Sequence, residues 1–488
     1  MSGSQRSRGD SQVPGPRRTS TPASRRRGPC GTGAPEPAPG GPELEALARQ
    51  ARRMVAAVKA DILSLAAELV RIDTAAVTPH GCETPAQRHL RDFLTARGVE
   101  ARLYDTGFLH AASHPYVRRD RRYRGRANLI ARIPGTAGGR SLLLSGHMDT
   151  VPAGPGQWRH SPLSGAVRGG RLYGRGSWDM KGGLAAQSGV LLALARAGVR
   201  LPGEVLAESV VDEEWAGGGG TLAARLKGYR ADACAIGEGT GLTICRATRG
   251  GHFVDITARA GDPSAYFSRE EVVSPAAAMG RLLGWVDAWR ARRRQVERGE
   301  AYGDFPDPAP VQVLAVEANR LDPDTPWAVP LEGRVRVYFQ FLPHEDQAAV
   351  IRRIERSFRS FCRQDPFFRR HPPEWRPIVD PPLVGHELAA DHPWTRCLVD
   401  AAAAVLGHAP TVTAAEYPCD AFLNQREFGI PTLLFGPCGA GAHNVDEHVT
   451  TRSVVQTAEV LLAAAMGWCG SPIEDGLRGA VVRGRGTA

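Results

Sequence analysis

Five short segments of this chain carry the residue types used in hydrolytic chemistry, and all five are expected to follow strands of one α/β layer. The first is Leu142-Leu143-Leu144-Ser145-Gly146-His147-Met148-Asp149, an apolar strand pattern that runs into a loop with His147 and Asp149 two residues apart. Ligands bind at such strand ends in open α/β sheets. His147 can ligate a metal through one ring nitrogen while the Asp149 carboxylate holds the other, or it can be an ordinary loop histidine. In Leu172-Tyr173-Gly174-Arg175-Gly176-Ser177-Trp178-Asp179 the glycines permit a sharp turn before a helix. Asp179 then either projects into a site or caps that helix. Ser209-Val210-Val211-Asp212-Glu213-Glu214 ends in three adjacent acids, which repel one another unless a cation sits among them. The segment is either an exposed acidic turn or a metal site with one glutamate as ligand and its neighbour as base. Glu238, after Ala231 to Ile236, and the loop Gly441 to His448, with His443 and His448, complete the set.

Two histidines and three or four carboxylates without a thiolate form a donor set suited to Zn²⁺ in a catalytic rather than a structural site. Two ions sharing one carboxylate is the simplest arrangement.

The elements that must position these groups can be read from periodicity. Glu43 to Leu69 has a helical apolar stripe, and strand-like runs at 128–133, 141–145, 204–211 and 231–236 alternate with helical stretches at 184–195 and 221–227. Strands alternating with helices predict an α/β fold with a mostly parallel sheet flanked by helices. From Gly250 the texture changes to an α+β unit: strands at 251–260, 311–318 and 333–342, and helices at 275–292 and 345–361. The last helix has Ala348, Ile351, Ile354, Phe358 and Phe361 on one stripe. After the Pro-rich break at 371–382 the α/β pattern returns, with a helix at 394–406, a strand at 432–435 and a helix at 451–466. The expected division is a tail at 1–42, a catalytic domain in two parts at 43–249 and 373–470, an inserted unit at 250–372, and a loose C-terminal tail at 471–488.

The 488 residues include no run near the eighteen apolar residues that a membrane span needs, so no membrane association is expected. Residues 1–42 hold eight prolines and seven arginines against Asp10 and Glu36, half of the formal net charge of +10. That stretch cannot bury enough apolar surface to order itself, and the charge is therefore no argument for nucleic-acid binding. It also lacks the apolar core of a signal peptide. Nine cysteines without a C-x-x-C pair read as reduced thiols, and a cytoplasmic location is expected.

The combination of His147, Asp149, Asp179, Glu213, Glu214, Glu238 and His443 resembles the metal-dependent amidohydrolase family that contains acetylornithine deacetylase, succinyl-diaminopimelate desuccinylase, aminoacylase and glutamate carboxypeptidase. The resemblance spans roughly residues 50 to 470. It implies two zinc ions, with Co²⁺ or Mn²⁺ as substitutes. His147 and Glu238 would each bind one metal, Asp179 would bridge both, and Glu214 and His443 would complete the sites. Glu213 would be the general base and Asp149 would orient His147. It further implies removal of an acyl group from a small N-acyl amine or N-acyl amino acid, with metallo-dipeptidase, carboxypeptidase or a weakly catalytic binding protein as alternatives. The inserted unit would be a lid through which a homodimer forms.

The sequence departs from the family pattern twice. The connection Ala260 to Tyr266 contains no histidine to stabilise an oxyanion, and His252 lies earlier, in the strand. Gln340 stands near the position where an arginine grips a substrate carboxylate, and a neutral amide cannot make that bidentate pair. The substrate then either lacks a free α-carboxylate at that point or is held by Arg246 or Arg249.

Overall fold

The computed structural model describes residues 41–259, 274–318 and 331–470. The expected N-terminal tail up to residue 40, the C-terminal tail and the connection at 260–266 lie outside the described residues.

The first part of the chain supplies β1 (Glu100–Asp105), β2 (Ala127–Ile133), β3 (Leu142–His147), β4 (Ala166–Arg168), β5 (Arg171–Tyr173), β6 (Val205–Val210), β7 (Ala233–Ile236) and β8 (Ile244–Thr248). The inserted segment adds β9 (Gly250–Arg259), β10 (Val311–Ala318), β11 (Glu332–Phe341) and β12 (Glu374–Pro377). The return adds β13 (His386–Glu387), β14 (Val412–Ala414), β15 (Thr432–Leu434), β16 (Gly439–Ala440) and β17 (His448–Thr450).

A nine-stranded sheet has the order β1-β2-β6-β3-β7-β15-β8-β13, with β14 paired to β8. Its centre, β6-β3-β7-β15, is parallel. Its flanks β1-β2-β6 and β15-β8-β13 are antiparallel, so the sheet is mixed. The central strands are buried on both faces, which is why Leu142 to Leu144 and Ala233 to Ile236 read as continuous apolar runs without alternation.

Helices α1 (Pro42–Arg71), α2 (Thr84–Thr95), α3 (Gly182–Ala197) and α4 (Thr221–Leu226) belong to the first part of the chain. α3 starts so close to the end of β7 that a Cβ at Gly183 would lie 1.9 Å from the carbonyl oxygen of Gly237. Only glycine allows this approach, and it fixes the loop that carries Glu238.

In the inserted segment the sheet order is β10-β11-β9-β12, all antiparallel. β12 lies beyond residue 372, so this sheet reaches further along the chain than the expected boundary. Helices α5 (Pro275–Arg293) and α6 (Gln347–Gln364) cover one face. α6 begins where the Asp346 carboxylate accepts the Ala349 N–H at 2.9 Å. It buries Gln347, Val350, Ile354 and Phe358 and packs Ile351 and Phe361 against the same core, so the stripe expected from sequence holds except at Ala348, which is exposed. α7 (Pro366–Arg370) follows.

α8 (Pro393–Leu406) and α9 (Thr451–Gly470) pack with α1 and α3 into one layer against the large sheet. α9 is long and apolar enough to cross a membrane, with mean hydropathy 1.2, but 78% of that window is buried in this layer.

A third, four-stranded sheet, β16-β17-β5-β4, was not expected. It carries Asp179 just after β5 and His443 between β16 and β17. The five motifs therefore do not all follow strands of one layer.

Candidate metal centre

His147 closes β3 and is buried. Its Nε2 lies 3.1 Å from Asp179 Oδ1 and 3.3 Å from Glu238 Oε1. His443 Nε2 lies 3.1 Å from Asp179 Oδ2 and 3.1 Å from Glu214 Oε2. Asp179 thus turns one oxygen to each imidazole, and two His/carboxylate triads share it. Ligand atoms of His147, Glu213 and Glu238, and of His147, Asp179 and Glu214, also fall within 4.8 Å of one another. Asp179 makes no cap hydrogen bond to the helix that follows it, so the helix-cap alternative drops out.

The electrostatics mark this point as one that draws positive charge. Burial opposes an imidazolium at His147, yet the hydrogen bonds that its ring N–H donates to Asp179 and Glu238 raise its pKa well above the usual value. Burial likewise opposes charge on His443, but Asp179 and Glu214 push it up to about 11. Burial works to raise Asp179, and the two histidines outweigh it and hold the carboxyl well below the ordinary range. Burial, reinforced by Asp179, pushes Glu238 up to about 7, and burial raises Glu213 well above its ordinary value. Oxygen and imidazole donors converging in this way fit divalent cations.

Asp149 acts differently from the expectation. The shortest contact of His147 Nδ1 is the main-chain carbonyl of Asp149, at 2.8 Å, while the carboxylate is 3.6 Å away. That carbonyl accepts the Nδ1 proton and leaves Nε2 as the ligand atom. The Asp149 carboxylate instead accepts the backbone N–H groups of Glu213 and Glu214, at 3.1 Å each. It sets the turn that presents both glutamates.

The repulsion among three adjacent acids is eased by the geometry of Asp212, while Glu214 still helps to raise Glu213. Asp212 adopts a left-handed backbone conformation with φ 65°, which turns its side chain away from Glu213 and Glu214. There it is fully buried and ion-paired with Arg121 and with Arg126, the latter at 2.7 Å, while Arg126 also pairs with Glu83. Two further supports were not read from sequence. The Asp420 N–H donates to Glu213 Oε1 at 3.2 Å, and Glu447 accepts N–H groups of Gly176, Trp178 and Asp179 at 2.9, 2.9 and 3.1 Å. Arg175 also donates to Glu447, at 2.5 Å. Arg175 and Glu447 each lie inside a motif already singled out, but nothing in the sequence pairs residues so far apart.

The structure does not bring Arg246 and Arg249 to the cluster. Arg246 pairs with Glu387 at 2.7 Å and Glu300 at 3.2 Å. Arg249 donates to the Glu416 carbonyl at 2.9 Å, the Asp307 carbonyl at 3.0 Å and Gln340 Oε1 at 3.2 Å. His252 is buried on β9, with neither ring nitrogen partnered, and packs near Trp375. His448 Nδ1 lies 3.0 Å from the Asp446 carbonyl, with its ring against Tyr173.

The cluster opens into a cleft of about 480 Å³ between the large sheet and the inserted sheet. Trp178, Tyr417, Phe253, Tyr338 and Leu314 contribute to its walls.

A His/carboxylate cluster, buried at His147 and Glu238 and open to the cleft at His443, with a second sheet facing it, defines a metal-dependent hydrolase. Residues 143–467 match peptidase family M20/M25/M40, and the chain belongs to this family of amide-bond hydrolases. It is 25% identical over 431 residues to an N-formyl-4-amino-5-aminomethyl-2-methylpyrimidine deformylase of Halalkalibacterium halodurans, covering 84% of this chain and 95% of the relative. It is 29% identical over 352 residues to a succinyl-diaminopimelate desuccinylase of a Methylobacterium species, covering 68% and 81%. Among solved structures, the dipeptidase Dug1p of Saccharomyces cerevisiae superposes with a TM-score of 0.67 at 15% identity, over 88% of this chain and all of that one. A dinuclear metal binding peptidase of Bacillus subtilis gives 0.55 at 15% identity, over 85% and 99%. These two similarities show the fold.

Proposed function

We propose that this protein is a di-zinc N-deacylase that releases an acyl group from a small N-acyl amine or N-acyl amino acid. The observation that carries the reading is Asp179, which offers one oxygen to each of two imidazole-centred triads. His147 and Glu238 would hold one ion, His443 and Glu214 the other, and Asp179 both. When bound, such ions polarise the amide carbonyl and acidify water. Glu213 stands beside this cluster with one carboxylate oxygen held by the Asp420 N–H. In this reading it takes the proton from the attacking water and passes it to the leaving nitrogen. Asp149 keeps Glu213 and Glu214 in place through their backbone N–H groups.

Deacylation is placed ahead of peptide cleavage because the relatives that match most of the chain are named as a deformylase and a desuccinylase, both acyl-releasing activities. The reading includes a reducing, cytoplasmic setting, in keeping with nine cysteines that form no C-x-x-C pair in the sequence. It also includes a homodimer through the inserted sheet, whose edge strand β10 exposes Leu314 and Val316. Metal analysis should find about two zinc ions per chain, and zinc-loaded protein should hydrolyse members of an N-formyl, N-acetyl and N-succinyl amine panel. A Glu213→Gln protein that keeps its zinc and hydrolyses at the wild-type rate would remove Glu213 from the mechanism.

A further inference from the structure

The walls of the cleft beyond the cluster restrict what can be attached to the scissile amide. Phe253 on β9 and Tyr338 on β11 are directly opposed cross-strand partners, and their rings stack at 4.0 Å with an interplanar angle of 3°. The stack is built in: a Cβ at Gly251 would come within 2.6 Å of the Tyr338 ring, so glycine there lets the ring lie across β9. Leu314 and Leu383 extend this wall, and Trp178 and Tyr417 line the side nearer the carboxylates. The Trp178 ring nitrogen is already committed to the Pro437 carbonyl, at 2.9 Å. That ring therefore offers a face rather than a donor.

The charges of the cleft lead to the same conclusion. Its described lining holds four carboxylates, Asp179, Glu213, Glu214 and Glu238, and no lysine or arginine. Two divalent ions would balance those four charges and leave no fixed cation over for a substrate carboxylate. Arg246 and Arg249 are not among the residues that line it: Arg246 pairs with Glu387, and Arg249 donates to Gln340 and to main-chain carbonyls. A carboxylate moved from water into this aromatic slot would lose its hydration without a charge-assisted partner.

We infer that the amide nitrogen of the substrate carries an uncharged arylalkyl group, with its ring received between the Phe253–Tyr338 stack and Trp178, and not an α-amino acid with a free carboxylate. Aromatic faces favour such a ring beyond its area alone. The inference rests on the hydrolase reading for the position of the amide, and it can fail separately from it.

Two compounds that differ only by the carboxylate, N-acetylphenethylamine and N-acetylphenylalanine, test it. Their affinities for zinc-loaded Glu213→Gln protein are measured by calorimetry, which needs no turnover. The amine derivative is expected to bind at least tenfold more tightly, and Phe253→Ala in the same background should erode that affinity about tenfold without changing zinc content. Equal or tighter binding of N-acetylphenylalanine, binding of neither compound, or an affinity indifferent to Phe253→Ala overturns the inference. Wild-type protein that hydrolyses neither compound while binding the amine derivative would instead sink the hydrolase reading and leave the binding result standing.

Discussion

Asp212 is the residue whose replacement should reveal how the glutamate pair is mounted. Asp212 and Glu83 are completely buried and Arg121 and Arg126 are 2% and 4% exposed, so two acids and two guanidiniums form an interior quartet of zero formal charge. Asp212→Asn keeps the side-chain shape, and asparagine tolerates the left-handed backbone at this position, so the change isolates the charge. It leaves one guanidinium uncompensated in the interior, and removing one member of a buried pair costs about 3–5 kcal/mol. Arg121 also stacks 4.9 Å from the Trp215 ring, so a displaced guanidinium disturbs the turn that carries Glu213 and Glu214. Arg121→Met together with Asp212→Asn restores neutrality by leaving only Arg126 with Glu83. The double variant should therefore be more stable than the sum of the single effects predicts, by about 1–3 kcal/mol. Urea denaturation of the zinc-loaded wild type, both single variants and the double variant closes the cycle, with kcat measured well below each midpoint. Strictly additive single effects, or an Asp212→Asn midpoint indistinguishable from wild type, would show that the quartet does not carry the turn.

Other consequences follow from the same geometry. Glu213→Gln should lower kcat by about 10²–10⁴-fold with zinc content unchanged, and an accompanying loss of metal would assign Glu213 a ligand role instead. Chelation should abolish hydrolysis and added Zn²⁺ should restore it, so full activity in thoroughly demetallated protein would refute the metal reading. Burial pushes His252 and His386 down to about 4 each, below the value of about 6.5 expected for an unfolded chain. Both are neutral in the native state, so stability is unaffected above that value and is lost as pH falls from about 6.5 towards 4, by about 3 kcal/mol for each group. His252→Phe removes two unpartnered nitrogens and should flatten the fall in melting temperature between pH 7 and pH 5; an unchanged slope contradicts the assignment. Gly183→Ala forces a methyl group against the Gly237 carbonyl and should reduce both zinc affinity at the Glu238 side and melting temperature, whereas a variant with wild-type zinc content and stability would show that the close approach is not needed.

The chemistry-bearing residues were legible in the sequence because each motif is local. The runs ending at His147, at Asp212 to Glu214 and at Glu238 are buried strands of one sheet, and a strand buried on both faces leaves an uninterrupted apolar signal directly before its loop. Most helices were readable for the same reason, since a 3.6-residue stripe is written in neighbouring positions. On α6 four of the five residues of the expected stripe pack on the inserted unit's core, and only Ala348 departs from it.

Tertiary structure alone decided which of these groups meet. Asp179 faces His147 and His443 from a separate small sheet, and no periodicity within a segment specifies how that sheet docks. The same holds for the exchange of roles at Asp149, where main chain and side chain take different partners, and for Arg121 and Arg126, which come from one loop to neutralise Asp212. Arg246 and Arg249 make the point in reverse. They were expected to stand in for the arginine missing at Gln340, but a buried guanidinium is held where acceptors surround it, and the fold supplied those acceptors elsewhere. Local sequence dictates which groups stand at the end of a strand; the balance of burial against charge across the whole chain dictates where they point.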